Sequence, residues 1–209
     1  MIVSDIVSRN KSRVSIFLDG EIAFVLYKGD LRRYGLEAGK EISGEDYDEI
    51  MREVLPKRAL DRSYKLLLAK DYTERQLREK LENDGYPEEI IEKTVAQLKK
   101  EKYLDDARYA ENFIYFRAKE KSKSRLFMDL ASRGVSRDEA ESIYERLLDA
   151  GDIDEEEEAA LRFLKKKHVN PSDLEYEERE KLFASMMRKG FSYDSVKRAL
   201  KQMEEECAS

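Results

Sequence analysis

The sequence predicts a mainly α-helical protein, in which three tandem three-helix repeats form an elongated array behind a small antiparallel β unit. The prediction depends first on a pattern in which two large apolar residues and a glycine follow one another at four-residue steps. The pattern occurs at Leu77, Leu81 and Gly85, at Leu126, Leu130 and Gly134, and at Leu182, Met186 and Gly190. Such self-similarity is typical of stacked repeats. The frequent alanine, leucine, glutamate and lysine of the second half are typical of helical proteins.

Residues 1–43 predict the β unit. Strands are expected at Ile2–Val7, Arg13–Leu18 and Glu21–Tyr27, and Asp19-Gly20 suits a two-residue turn with positive φ. Regular pairing of Leu18 with Glu21 puts one group of side chains on one face and a second group on the other: Phe17, Ile22, Phe24 and Leu26, against Val14, Ile16, Ala23 and Val25. Three short strands are marginally stable alone, so we expect the unit to dock on helices. A helical turn at Asp30–Tyr34 should stop at Gly35.

Residues 44–56 predict a lead-in helix and a linker. The helix should cover Asp46–Val54, where the 3.6-residue period begins. The residue before Pro56 is biased away from helix, and proline suits a first helical turn. We therefore expect a break before Pro56 and a new helix after it.

Residues 57–104 form the first predicted repeat. Its first helix should bury a stripe made of Leu60, Tyr64, Leu67 and Leu68. Thr73 and Gln76 have the spacing of a capping box at the start of the second helix. Gly85 suits the left-handed position that ends that helix, and Pro87 suits the start of the third.

Residues 105–151 and 152–209 form the second and third predicted repeats. Asp105 should cap a helix whose stripe is Tyr109, Phe113 and Phe116, and Ser136 to Glu139 is a second capping box. The third repeat begins with Asp154 and the glutamates Glu155–Glu158, whose charge suits the positive end of a helix dipole. Its Phe163 matches Phe113, and an insertion at Val169–Tyr176 makes it longer.

Composition limits the chemistry that this chain can perform. It carries 40 Lys and Arg against 46 Asp and Glu, a net charge of −6, with one histidine, His168, and one cysteine, Cys207. An intramolecular disulfide and catalysis by paired histidines are therefore excluded, and acidic neighbours disfavour a Cys207 thiolate. Nucleotide-binding and metal-binding motifs are missing. We expect a non-enzymatic cytoplasmic protein with no cofactor, metal or membrane segment, and His168 at a solvated helix end.

Two basic clusters are candidate contact surfaces. The first, called the basic segment below, covers residues 117–125 between the first two helices of repeat two and contains Arg117, Lys119, Lys121, Lys123 and Arg125. Lysine and arginine contact phosphates and neighbouring aromatics can stack on bases, although a solvated loop explains the charge equally well. The second and weaker cluster, on the first helix of repeat one, consists of Lys57, Arg58, Arg62 and Lys65.

The string Leu104-Asp105-Asp106-Ala107-Arg108-Tyr109-Ala110 lies between the first two copies of the repeat pattern. With Gly85-Tyr86-Pro87 before it and Phe113, Arg117 and Arg125-Leu126 after it, this arrangement resembles RecX, the family of bacterial proteins that regulate the recombinase RecA. The resemblance covers about residues 57–209, and the β unit is similar to the N-terminal extension of some members. The family often has a glycine near 122 or 123, where this chain has Ser122-Lys123, which leaves the loop shape open and makes it more basic.

The resemblance implies a curved array of three-helix repeats that binds the RecA filament on single-stranded DNA. It also implies restraint of the ATPase, strand-exchange and coprotease activities of RecA from a position in the filament groove. Our hypothesis is that repeat two is the principal contact, with Lys57, Arg58 and Arg62 as secondary candidates. The principal candidates are Arg108, Tyr109, Arg117, Lys119, Lys121, Lys123 and Arg125, although Tyr109 can instead belong to the core. Changing Lys119, Lys121 and Lys123 to glutamate should weaken inhibition and leave helicity intact.

Two other interpretations remain open at this point. The array could be a scaffold for another protein, or helix pairs of repeat one could act as helix-turn-helix units of an independent DNA-binding module. Because the whole chain is acidic, we expect only weak binding to bare DNA. Nothing resembles a heptad seam, so a monomer is expected.

Overall fold

The computed structural model describes residues 1–171 and 174–207. Its contacts divide the chain into two compact units, Met1–Asp105 and Asp106–Ser209. The chain is mainly helical and begins with a three-stranded antiparallel sheet, as predicted. Within the described residues no helix is long and apolar enough to cross a membrane.

Unit 1 contains the sheet and six helical segments. The strands are β1 (Val3–Ser8), β2 (Arg13–Leu18) and β3 (Glu21–Tyr27). The helical segments are α1 (Lys28–Arg33), α2 (Gly44–Glu49), a π-helical turn (Ile50–Val54), α3 (Leu55–Ala69), α4 (Glu74–Asp84) and α5 (Glu88–Lys100).

The β unit has the predicted order, but its predicted faces are wrong. The strands pair in the order β1-β2-β3, Leu18 faces Glu21, and the turn residues Asp19 and Gly20 both have positive φ. A β-bulge then shifts the register, so that Ile16 faces Phe24 instead of Ala23. Since a one-residue shift moves every later side chain to the opposite face, five apolar side chains share the buried face. They are Val14, Ile16, Leu18, Phe24 and Leu26.

This buried face docks on helices of the same unit, as expected for an unstable three-stranded sheet. Ile16 and Phe24 belong to one core together with Ile50, Leu55 and Ile90. The sheet therefore takes its hydrophobic contacts from the π-turn, α3 and α5. Its stability depends on the first repeat, since burial of apolar surface is the main favourable term in folding.

The predicted break before Pro56 is wrong, because the helix continues through it. α2, the π-turn and α3 follow one another without interruption, and the Leu55 N–H donates to the Ile50 carbonyl, five residues earlier. A proline inside an α-helix clashes with the carbonyl of the preceding turn. Immediately before Pro56 the wider π-turn replaces i to i−4 hydrogen bonds with i to i−5 bonds, at the place where that clash would arise.

The three helices of the first repeat follow the prediction with one exception. Leu77 and Leu81 are fully buried, the Thr73–Gln76 capping box is formed, and Gly85 ends α4 with φ of +89°. Leu68, however, is 86% exposed, so its place in the predicted stripe is wrong. Beyond Leu55, the fully buried positions of α3 are instead Ala59 and Ser63, each of which directly precedes a large residue of the predicted stripe, Leu60 or Tyr64.

The described residues of unit 2 form six α-helices, three from each of the remaining repeats. They are α6 (Asp106–Arg117), α7 (Lys123–Ala131), α8 (Arg137–Asp149), α9 (Glu156–Lys166), α10 (Tyr176–Arg188) and α11 (Tyr193–Cys207). The pattern residues Leu126, Leu130 and Met186 are fully buried. Ser136 caps α8 by accepting from the Glu139 N–H.

The predicted stripe of α6 is partly wrong. Tyr109 and Phe113 pack against the core of repeat two, but Phe116 is 70% exposed and Ile114 is buried in its place. Because α6 has apolar residues on most of its sides, periodicity does not separate the inner face from the outer one. In repeat three, Phe163 packs against the core as predicted, and His168 is exposed after the end of α9. Part of the predicted insertion, and the Cys207 side chain, lie outside the described residues.

Candidate functional site

The basic segment lies where the sequence places it, between the end of α6 and the first turn of α7. Arg117 and Lys119 are exposed, and the one ion pair of Arg117 within the described chain is an exposed one with Glu120 at 3.6 Å. The Lys119 side chain has no ion-pair partner among the described residues, while its carbonyl accepts from Arg162 Nε at 3.2 Å. The main chain of the segment is thus held in place and two of its cations point to solvent.

Two other cations of the segment are half-buried and make ion pairs within the protein. Lys121 pairs with Asp129 and lies over the Phe113 ring, 5.5 Å from its centroid. Lys123 Nζ lies 3.2 Å from Glu141 Oε1. Changing these lysines to glutamate would place each new carboxylate beside an existing one. The triple variant proposed from the sequence could therefore weaken inhibition either by losing contacts with a partner or by destabilising the fold.

Asp129, in the last turn of α7, makes ion pairs with two cations of the basic segment, Lys121 and Arg125. Burial alone would raise the pKa of Asp129, but the hydrogen bond and charge of Lys121 and the charge of Arg125 outweigh it and hold that pKa below its ordinary value. Arg125 Nε lies 3.2 Å from Asp129 Oδ1, with more than half of the arginine side chain exposed. Arg125 therefore keeps donors available to a partner.

The remaining predicted residues of repeat two divide between core and surface. Tyr109 stacks on Phe113, with ring centroids 6.3 Å apart, and packs against the core, so it is half-buried. Arg108 is exposed on the same helix. Beside the basic segment, Tyr115 and Phe116 form an edge-to-face pair with centroids 5.1 Å apart and are 46% and 70% exposed. This pair adds exposed aromatic surface next to exposed cations.

A cleft of about 410 Å³ joins the basic segment to repeat three, and most of its lining residues were not predicted. Arg188 and Lys189 at the end of α10 face Lys121 and Arg125 across it. Arg188 is exposed and has no ion-pair partner among the described residues. The only feature of the sequence that points to this cleft is the basic pair before Gly190, the third glycine of the repeat pattern. We call this feature the junction cleft.

Ser122 fixes the junction cleft by bonding to both repeats. Its hydroxyl accepts from the Arg125 N–H at 3.2 Å, capping α7, and donates to the Lys189 carbonyl at 2.9 Å. A β-carbon on Gly190 would lie 2.7 Å from that hydroxyl, which shows how closely the two segments approach. Ser122 has φ of −67°, so the loop does not need the glycine that the family often has there. The departure from the family pattern is explained by this cap and cross-repeat bond.

Glu156 holds the same junction from the start of α9. Its Oε1 accepts from the Lys123 N–H at 3.0 Å, and its Oε2 accepts from the Ser192 N–H at 3.2 Å and the Ser195 hydroxyl at 3.0 Å. One carboxylate thus satisfies donors at the N-termini of α7 and α11 while lying in the first turn of α9. Negative charge is stabilising at each of these helix ends.

We expect Glu156→Gln to lower the stability of unit 2 by about 2 kcal/mol, because hydrogen bonds to a charged acceptor are worth about 1.5–3 kcal/mol. Thermal unfolding measures the loss of stability, and hydrogen exchange in α7 and α11 locates it. Glu155→Gln is the matched control, since Glu155 is exposed and makes no capping hydrogen bond. Equal stability of the two variants would show that the hydrogen bonds of Glu156 do not stabilise the contact between the repeats.

The second basic cluster lies in unit 1 and is mostly paired. Arg58 Nη1 and Nη2 donate to the two carboxylate oxygens of Asp30 at 2.7 and 2.9 Å, and Arg62 Nε donates to Asp84 at 2.8 Å. Lys57 is exposed. In the described parts of the chain, no three histidine, cysteine or acidic side chains are grouped as a metal site would need.

Comparison with known proteins places these features in a family. Three family models match successive parts of the chain: the first RecX three-helix domain at residues 59–98, the second at 105–142 and the third at 154–200. The matches confirm the prediction that the chain contains three three-helix repeats.

Relatives match almost the whole chain. A regulatory protein RecX of Caldanaerobacter subterraneus is 31% identical over 202 residues, which cover 96% of this chain and 98% of the relative. One of Clostridium botulinum (strain Alaska E43) is 29% identical over 201 residues, covering 95% and 93%.

Two crystal structures share the fold. That of a regulatory protein RecX has a TM-score of 0.63 at 22% identity and covers 94% of this chain and 98% of its own. That of RecX from Lactobacillus salivarius has a TM-score of 0.62 at 19% identity, covering 72% and 97%. From the three domain matches and the full-length relatives, the chain belongs to the RecX family of regulatory proteins.

Proposed function

We propose that this protein binds the filament that RecA forms on single-stranded DNA and restrains its ATPase, strand-exchange and coprotease activities. The observation that carries the proposal is the match to regulatory RecX proteins over nearly the full length, including all three helical domains. We further propose that the protein acts without catalysis, as a monomer in the cytoplasm, by lying in the groove of the filament.

The charge distribution supports a nucleoprotein partner in preference to bare DNA. A chain with a net charge of −6 is repelled by a polyanion at long range. The exposed cations of the basic segment and the junction cleft, with Phe116 beside them, offer local contacts to phosphates or acidic side chains. A filament groove presents protein and phosphate together, so a surface of mixed sign is complementary to it.

The test is the rate of ATP hydrolysis by RecA on single-stranded DNA, with and without this protein. We expect stoichiometric amounts to reduce the rate at least about twofold, because a groove-bound protein contacts neighbouring RecA subunits. A rate that does not change at equal concentrations would contradict the proposal. Salt dependence adds a second criterion, since a module bound only through phosphates loses affinity steeply with salt and a protein scaffold does not.

A further inference from the structure

We propose that a cleft in unit 1 binds phosphate groups carried by a nucleotide or a nucleic-acid strand. The cleft, about 820 Å³ in volume, lies between the loop that joins β1 to β2, the helix α3 and the end of α4. We call it the hairpin cleft. The inference goes beyond the proposed function, because it concerns the isolated protein and does not depend on RecA.

Two arginines in the hairpin cleft are held side by side by one carboxylate. Arg13 Nη1 donates to Asp84 Oδ1 at 3.0 Å, and Arg62 Nε donates to Asp84 Oδ2 at 2.8 Å. A guanidinium carries five N–H donors, so each arginine uses one of them here and retains the others. No other hydrogen bond from either guanidinium exists within the described chain. The result is a pair of oriented guanidinium groups with free donors in an open cleft.

Asp84 is well suited to hold this pair permanently. Its side chain is only 12% exposed. Burial alone would raise the pKa of Asp84, but hydrogen bonds from Arg62 and Arg13 outweigh that effect and hold the pKa below its ordinary value. The carboxylate therefore stays charged at neutral pH and keeps both arginines in place without neutralising both of them.

Lysines extend the positive charge to the rim of the hairpin cleft. Lys11 in the β1–β2 loop and Lys65 on α3 both line it and are exposed, and neither has an ion-pair partner among the described residues. The loop is itself ordered, because Asn10 Oδ1 accepts from the Ser12 and Arg13 N–H groups at 3.0 and 2.9 Å. In total the lining has five cationic and two anionic side chains, and one of the five cations, Arg58, is already paired with Asp30 outside the lining.

The lining favours phosphate over a peptide ligand. It contains no aliphatic side chain, whereas peptide and protein ligands usually need a buried apolar anchor. Guanidinium groups match the geometry of phosphate oxygens and bind them through paired hydrogen bonds. Tyr27 also lines the cleft and is 48% exposed, so part of its ring is available for a base to stack on, although the Arg58 guanidinium lies over the ring 4.7 Å from its centroid.

The test measures binding of the full-length protein, without RecA, to a fluorescent single-stranded oligothymidylate of about 20 nucleotides, longer than such a cleft covers. The variant is Lys11→Glu/Lys65→Glu, which leaves the Asp84 ion pairs intact and should fold normally. The control is Lys80→Glu/Lys100→Glu, an equal charge change at two exposed sites of unit 1 outside the cleft. We expect the variant to lose at least about tenfold in affinity and the control to stay within about twofold, with a smaller salt slope for the variant alone.

Competition separates the two phosphate sources. Displacement of the oligonucleotide by ATP indicates a nucleotide site, and displacement only by unlabelled strand indicates a nucleic-acid site, both of which support the proposal. Equal affinity of variant and control would overturn it, as would the absence of any binding by the natural protein. Displacement by oligoglutamate of matched charge, as effective as by oligonucleotide, would assign the cleft to acidic peptides and also overturn it.

Discussion

Replacing Gly85 with alanine should destabilise unit 1 by about 3 kcal/mol. Gly85 ends α4 with φ of +89°, a conformation that costs an alanine about 1 kcal/mol. An added β-carbon would also lie 2.2 Å from Val25 Cγ2 and 2.5 Å from an Arg9 nitrogen. Val25 is buried in β3 and has a stiff, short side chain, so relief requires the sheet to move, at a further cost of about 1–3 kcal/mol.

A matched glycine separates the two contributions. Gly39 has φ of +84° and no atom within 4 Å of an added β-carbon, so Gly39→Ala should cost only about 1 kcal/mol. Thermal unfolding gives the size of each effect, and hydrogen exchange in β3 and α4 locates it. Equal losses of stability in the two variants would show that the close approach of Val25 to the end of α4 does not add to the cost of the Gly85 substitution.

Positions that depend on local chemistry were predictable from the sequence. The turn at Asp19-Gly20, the capping box at Thr73 and the glycine that ends α4 each need only a few neighbouring residues to specify them, and the structure confirms all three. The repeat pattern was predictable for a related reason. Buried residues recur at helical spacing whatever the rest of the helix contains, and Leu77, Leu81, Leu126 and Leu130 are fully buried.

Errors arose where one extra residue or an ambiguous face decides the outcome. The bulge at Ala23 inserts one residue and exchanges the faces of β3, and no residue of the strand signals it. Leu68 and Phe116 are large apolar residues near helix ends, but the buried side runs through Ala59 and Ser63 on α3 and through Ile114 on α6. Size alone therefore misassigns a helix face that small residues can also fill.

The candidate site was predictable as a segment but not as a surface. Charge density marks residues 117–125, yet the ion-pair partners of Lys121 and Lys123, Asp129 and Glu141, are specified only by the fold. Arg188 reaches the same cleft from a distant part of the chain through the contact of Ser122 with Lys189. Such tertiary contacts carry no local sequence signal.

Changing Arg117, Lys119 and Arg188 together to glutamate should reduce inhibition of RecA ATPase at least about tenfold. All three are exposed at the basic segment and junction cleft. Among the described residues they make one ion pair, Arg117 with Glu120, which is exposed and worth little to stability. Reversal of rim charges acts mainly on association with a charged partner, and like charges placed against it cost several kcal/mol. The fold should be unaffected, unlike in variants of Lys121 or Lys123.

The matched control changes Arg137, Lys166 and Lys197 to glutamate, which are exposed cations of unit 2 without ion-pair partners in the described chain. Both triple variants have the same net charge, so a general electrostatic effect would weaken them equally. The measurement is the concentration that halves ATP hydrolysis, with unfolding temperature as the check on structure. A triple variant at the cleft that inhibits as strongly as its control would show that this surface is not the contact, because nothing else distinguishes the two proteins.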